Sequence, residues 1–222
     1  CEKYTEELID SLFDAYVRII EQLDRNCIAD ISVLSEDDMN KLLLDFNDTA
    51  VDYRRDKCVH ELFEEKVQRT PDKIALVFED KQFTYKQLDE MSNSLAHLLR
   101  EKGVRKGDKV AVLLNRDEKV IMLQLAILKL GAVFIPIDSR YPKDRIEYIL
   151  NESNAKLIIK NREIEFASSI SLDIENGNIH SVKQFDNIEV NPKDVCYIIF
   201  TSGSTGKPKG CTLTNSGLVN FC

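Results

Sequence analysis

A short run with no charged residue, Val195-Cys-Tyr-Ile-Ile-Phe200, leads straight into Thr201-Ser202-Gly203-Ser204-Thr205-Gly206-Lys207-Pro208-Lys209-Gly210. Six consecutive residues of this kind predict a strand buried on both faces, as in a parallel sheet. The ten that follow hold three glycines, four hydroxyl side chains and two lysines. Glycine lets backbone amides come close to an anion, Ser and Thr hydroxyls donate to its oxygens, and lysine supplies charge. A loop of this make-up after a buried strand reads as a phosphate cradle. It is not the common P-loop, because Thr201 stands where that motif needs its first Gly and Pro208 follows Lys207. It is not a serine-hydrolase elbow either, since Ser202 replaces the first Gly around Ser204.

The residues upstream alternate in period. His60 to Arg69 predicts a helix stopped by Thr70-Pro71. Ile74–Phe78 and a second short segment ending at Thr84 predict paired strands. Thr84 with Gln87 forms a capping box, opening a helix to Arg100 that Gly103 ends. Val110–Leu114 predicts a strand, Lys119–Leu130 a helix, Val133–Ile137 a buried strand, and Leu157–Ile159 another. Pro142, as a first-turn residue, predicts a helix to Asn151. Such alternation indicates an α/β fold with a mainly parallel sheet and flanking helices, whose ligands bind beyond the carboxyl ends of the strands. Asn161 to Lys193 has little periodicity and reads as a surface excursion with one or two short strands.

The first 58 residues differ in kind. The whole formal net charge of −8 lies there, and the remainder is balanced. That acidity speaks against nucleic acid as a partner. Thr5 to Arg25 predicts an amphipathic helix, with Ile9, Leu12, Phe13, Tyr16, Val17, Ile20 and Leu23 on one stripe that finds no evident partner in the chain. Ser35-Glu-Asp-Asp38 predicts a capped short helix ending near Phe46, and Asp52 to Lys57 a charged linker.

The six cysteines show no CxxC spacing, and His60-Glu61 lacks the second histidine of a zinc-protease motif because Glu64 stands there. No metal site is expected within the chain. The longest apolar stretch, Val120 to Ile137, is interrupted by Gln124 and Lys129, which predicts a buried helix running into a strand rather than a membrane span. A reduced, cytoplasmic protein is expected. The chain of 222 residues begins on Cys1 and stops on Cys222 within an apparent helix start, so both ends are expected to be cut.

Four segments in order resemble the adenylate-forming, AMP-binding superfamily, and within it the adenylation domains of nonribosomal peptide synthetases. They are Leu62-Phe-Glu64 through Thr70-Pro-Asp72, Phe83-Thr-Tyr-Lys-Gln-Leu88, Leu128 to Asp138 with Tyr141-Pro142 and Arg145, and the Thr201–Gly210 loop. Phe200 stands where that family often has Tyr, and Asn215 and Ser216 where it often has His. Leu44 to Thr49 resembles a linker joining a condensation domain to an adenylation domain, and Thr5 to Arg25 the last helix of a condensation domain. The resemblance divides the chain into the end of a condensation domain (1–34), an interdomain linker (35–58) and the N-terminal portion of an adenylation domain (59–222).

The resemblance implies activation of an amino acid with ATP as aminoacyl-adenylate, then transfer to phosphopantetheine on a carrier domain. Thr201, Ser202, Gly203, Ser204, Thr205 and Gly206 would give hydroxyl and amide contacts to the β- and γ-phosphates. Lys209, with Lys207 beside it, would supply charge, and Gly210 closes the motif. Asp138, Tyr141 and Arg145 would shape the domain. The family's Mg2+ ligand, its amino-acid pocket and its mobile lysine are expected beyond Cys222, so no catalytic residue is assigned. Expected partners are the amino-acid substrate, the carrier domain and the upstream condensation domain, with no membrane. Two alternatives stay open: a noncatalytic nucleotide-binding or interdomain piece, and another adenylate-forming ligase such as an acyl-CoA synthetase.

Overall fold

A computed structural model describes residues 4–24, 27–160, 170–173, 184–186, 188–202 and 207–222, with the backbone alone for 170–173. The chain divides into two compact units, Cys1–Asp52 and Tyr53–Cys222.

In the first unit, α1 spans Glu6–Glu21 and α2 Glu36–Leu43. Thr5 caps α1, its hydroxyl accepting from the Leu8 amide at 3.3 Å. Ser35 and Asp38 form the expected capping box. The Gln22 side chain joins the two halves of the unit: it donates to the Arg18 and Ser32 carbonyls at 2.7 and 3.0 Å and accepts from the Ser32 amide at 3.0 Å. None of the residues of α1 or α2 is buried. The stripe stays open, with Leu12, Phe13 and Tyr16 each 60% or more exposed.

The second unit has α3 (Val59–Arg69), the strands β1 (Ile74–Phe78) and β2 (Lys81–Thr84), α4 (Tyr85–Glu101) and β3 (Lys109–Leu114). Then come α5 (Glu118–Lys129), β4 (Val133–Asp138), α6 (Lys143–Ser153), β5 (Leu157–Lys160) and β6 (Ile170–Asp173). It ends with β7 (Val195–Thr201), β8 (Lys209–Thr214) and α7 (Asn215–Phe221). The hairpin β1–β2 is antiparallel. The remaining strands make one sheet in the order β6-β5-β3-β4-β7-β8, parallel except for β8.

The sheet separates two cores. Alternate residues of β3 go to opposite faces. Val110, Val112 and Leu114 pack with α4 and α5, and the hairpin leans on the same cluster through Ala75, Leu76 and Phe83. Ala111 and Leu113 pack with Ile135, Ile137 and the α6 residues Ile146 and Ile149. The Thr84–Gln87 capping box forms as expected, with bonds of 3.2 and 2.9 Å. Helix α6 ends on Asn154, in the left-handed conformation at φ 51°.

Two expectations change. Pro142 is the residue before the first turn of α6, not within it, because its ψ of 144° is extended. Strand β7 is covered mainly on one face: Cys196 and Ile198 are buried, while Val195 and Ile199 remain 37% and 41% exposed. Ile198 and Phe200 rest on the α6 core, but at Ile199 the opposite face has no such layer among the described residues. The segment read as a surface excursion with one or two short strands does contain one, β6, which joins the sheet, paired from Leu157–Ile170 to Lys160–Asp173.

Candidate functional site

The site is assembled at the carboxyl edge of the parallel strands. Strand β7 delivers Thr201 at its end, and Ser202 follows. The chain then returns antiparallel as β8, so that Thr201 pairs directly with Lys209 and Phe200 with Gly210. Directly opposed residues of an antiparallel pair have Cα atoms about 4.5–5.5 Å apart. The ladder therefore places a hydroxyl and an ammonium at the neck of the turn. Thr201, Ser202, Lys207 and Lys209 are all exposed. Gly203, Ser204, Thr205 and Gly206 lie outside the described residues.

Gly210 has a packing reason to be glycine. A Cβ there would stand 3.1 Å from Phe200 Cζ and 3.3 Å from Ile198 Cγ2. The Phe200 ring lies across the backbone of its partner, which fixes the start of β8 and with it the position of Lys209. A side chain at 210 would have to displace that ring.

Strand β4 lies beside β7, joined through Phe134 and Tyr197. Pro136 has no amide hydrogen to give either neighbour, and the β4–β7 register consists of that one pair. At the end of β4 the Asp138 carboxylate takes a fork from Arg140, at 3.0 Å from Nε and 2.7 Å from Nη2. These bonds, with the Arg140 amide and the charge of Arg116, hold the Asp138 carboxyl down to about 2. Asp138 is thereby engaged in shaping the turn. The Arg145 guanidinium stacks 4.3 Å from the Tyr141 ring centroid, a packing arrangement as expected for this pair.

Among the described residues no cluster of three or more His, Cys, Asp or Glu could hold a metal ion, and no helix is long and apolar enough to cross a membrane. The five described cysteines are free. The hydroxyls of Thr201 and Ser202 and the ammonium groups of Lys207 and Lys209 are the donor set an oligophosphate requires. The described acids offer no matching set for its Mg2+.

Reading the sequence missed one group near this edge. Asn115, Arg116 and Arg140 rim a cavity of about 410 Å3 at the ends of β3 and β4. The rule that parallel sheets bind ligands at carboxyl ends points to it, but only once the strand order is known.

Residues 63–222 match the family described as "AMP-binding enzyme". Bacitracin synthase 3 of Bacillus licheniformis is 40% identical over the whole chain, which spans 4% of that protein. Tyrocidine synthase 2 of Brevibacillus parabrevis is 37% identical over 99% of this chain, which spans 6% of it. Among solved structures, the Klebsiella oxytoca NpsA N-terminal subdomain in complex with 3-hydroxybenzoyl-AMSN has a TM-score of 0.67 and 31% identity, covering 72% of this chain and 41% of that one. VinN, in complex with 3-methylaspartate, has a TM-score of 0.67 at 22% identity over 76% of this chain and 50% of its own, a likeness of fold. The α/β sheet with flanking helices is that of the N-terminal subdomain of adenylate-forming enzymes. With the match covering most of its length, the chain belongs to the AMP-binding enzyme family.

Proposed function

We propose that this chain is part of a nonribosomal peptide synthetase module that activates an amino acid with ATP as aminoacyl-adenylate. The observation that carries the reading is the Thr201–Lys209 pair at the carboxyl edge of the sheet. It closes a Gly/Ser/Thr/Lys turn in a fold shared with NpsA. Thr201 and Ser202 would donate to oxygens of the β- and γ-phosphates, Lys207 and Lys209 would supply charge, and the Gly203–Gly206 amides and hydroxyls would complete the grip. Gly210 would hold the turn against Phe200. Charge grows on the departing phosphates as the bond to the α-phosphorus breaks, so donors fixed in advance favour the transition state.

The same reading assigns 59–222 to the adenylation domain, 35–58 to a linker and 1–34 to the end of a condensation domain. The open stripe of α1 supports the last assignment, because a helix with so much exposed apolar surface is built to pack on something. Mg2+ and the amino-acid pocket belong to residues beyond this chain. Phosphopantetheine belongs to a carrier domain, a pairing that the fused NpsA–ThdA adenylation–PCP structure supports by likeness. A cytoplasmic location agrees with five free cysteines among the described residues. Similarity to peptide synthetases along nearly the whole chain favours an amino acid over an acyl-CoA product.

Amino-acid-dependent exchange of pyrophosphate into ATP tests the reading, measured on the polypeptide that carries this chain with the rest of its adenylation domain. Lys209→Ala should lower exchange by about 100-fold or more, the loss typical for one preorganised donor. Exchange unaffected by that change would overturn the assignment of the loop.

A further inference from the structure

The connections that leave β3 and β4 go to opposite faces of the sheet. Helix α5 packs with Val112 and Leu114, and α6 with Leu113 and Ile137. Diverging connections of this kind open a crevice outside the carboxyl ends of adjacent parallel strands, a place where such sheets bind ligands. Here it is the cavity of about 410 Å3, floored by apolar side chains such as Leu114, Val120 and Pro136. Its two walls are tied together, because the Ser139 hydroxyl donates to the Asn115 side-chain oxygen. That leaves the Asn115 amide nitrogen as a donor at the rim.

The charges of the rim do not cancel. Arg140 is taken up by Asp138. Of the acids that start α5, Glu118 pairs with Lys81, and Asp117 with the Lys119 ammonium at 3.9 Å. Arg116 has no ion pair or hydrogen-bond partner among the described residues. Its charge acts on the Asp138 carboxylate without a direct contact, so Arg116 and Arg140 share one carboxylate and the mouth of the crevice keeps a net positive charge. The segment that begins at Thr201 leaves the strand next to β4. From the Phe134–Tyr197 pair, both strands run four residues further, to Asp138 and Thr201.

We propose that this crevice is a second oligophosphate subsite, with Arg116 as its charged contact, and that it receives pyrophosphate leaving the Thr201–Gly210 turn, a role that rests on the adenylation reading.

Titration of sodium pyrophosphate into the 15N-labelled chain, followed by amide shifts, tests it. Asn115 and Val120 should shift along with Thr201 and Lys209. Arg116→Ala should weaken the first response at least tenfold and leave the second, while Lys209→Ala should do the reverse. The absence of a response at Asn115 and Val120, or one that Arg116→Ala leaves unchanged, would overturn the crevice while the turn stands. A response confined to the crevice would overturn the role of the turn instead, and silence at both would overturn both.

Discussion

The ammonium of Lys129 lies 2.6 Å from the carboxylate of Asp89, with no solvent access to the lysine side chain. It also donates to the Asn93 side-chain oxygen and lies 3.7 Å from Glu64. One buried cation thus joins α5 to α4 and α3 behind the sheet. Removing one partner of a buried ion pair leaves an uncompensated charge, which costs about 3–5 kcal/mol. Asp89→Ala should lose stability toward the lower end of that range, because Glu64 stays 3.7 Å from the ammonium, as read by urea unfolding followed by circular dichroism. Lys129→Met with Asp89→Leu should recover most of it, because that pair of changes removes both charges and fills the space.

His60 sits on α3 with 2% of its surface exposed and no hydrogen-bond partner for Nδ1. Burial pushes its imidazole down to about 4, from an ordinary value of 6.5. Between those values the unfolded chain binds more protons than the folded one, so stability rises with pH through that window. It is complete above pH 6.5 and is lost as the pH falls toward 4. At 1.36 kcal/mol per unit the loss is at most about 3 kcal/mol. Carboxylates add their own slope, so the comparison is between proteins. His60→Leu should lose less stability than the parent between pH 7 and pH 4.5 in urea titrations.

How much of this was visible in the residues depends on how far apart the partners stand. The capped starts at Thr5, Ser35 and Thr84 need a partner only three positions away, and all three form. Strand β7, which leads into Thr201, was legible for the same local reason. Lys129 was not, since in the sequence it merely interrupts an apolar stretch. Its partners Asp89 and Asn93 are 40 and 36 residues distant, and only tertiary packing brings them together. The crevice around Arg116 depends on strand order, which periodicity does not encode. Strand β6 lies in a segment with no clear alternation, and its membership in the sheet comes from pairing with β5.

Cysteine reactivity should divide sharply. Burial raises the Cys58 thiol to about 12, with Glu61 adding to the effect, and burial raises Cys196 to about 11. Both are at most 1% exposed. The thiolate is the reactive form, so neither should be alkylated in the folded protein. Cys27, Cys211 and Cys222 are exposed and should react. Brief iodoacetamide treatment followed by peptide mass mapping checks this. Rapid labelling of Cys58 or Cys196 without denaturant would contradict the packing of β7 and of the start of α3.

Two glycines separate backbone strain from lack of space. Gly103 and Gly131 both have positive φ, 87° and 62°. Around Gly103 a Cβ would meet nothing within 4 Å, so Gly103→Ala should cost only conformational strain, about 1 kcal/mol. At Gly131 a Cβ would stand 2.9 Å from Val190 Cγ2 and 3.2 Å from Lys106 Cγ. Its carbonyl also accepts from the Gly107 amide at 2.9 Å, which limits any shift of the turn. Gly131→Ala should therefore cost a further 1–3 kcal/mol or so through overpacking. Val190→Ala removes the atom in the way, so combining it with Gly131→Ala should give a smaller loss than the two single losses added together. Additive losses in a double-mutant cycle of urea midpoints would mean that the segment carrying Val190 does not press on this turn.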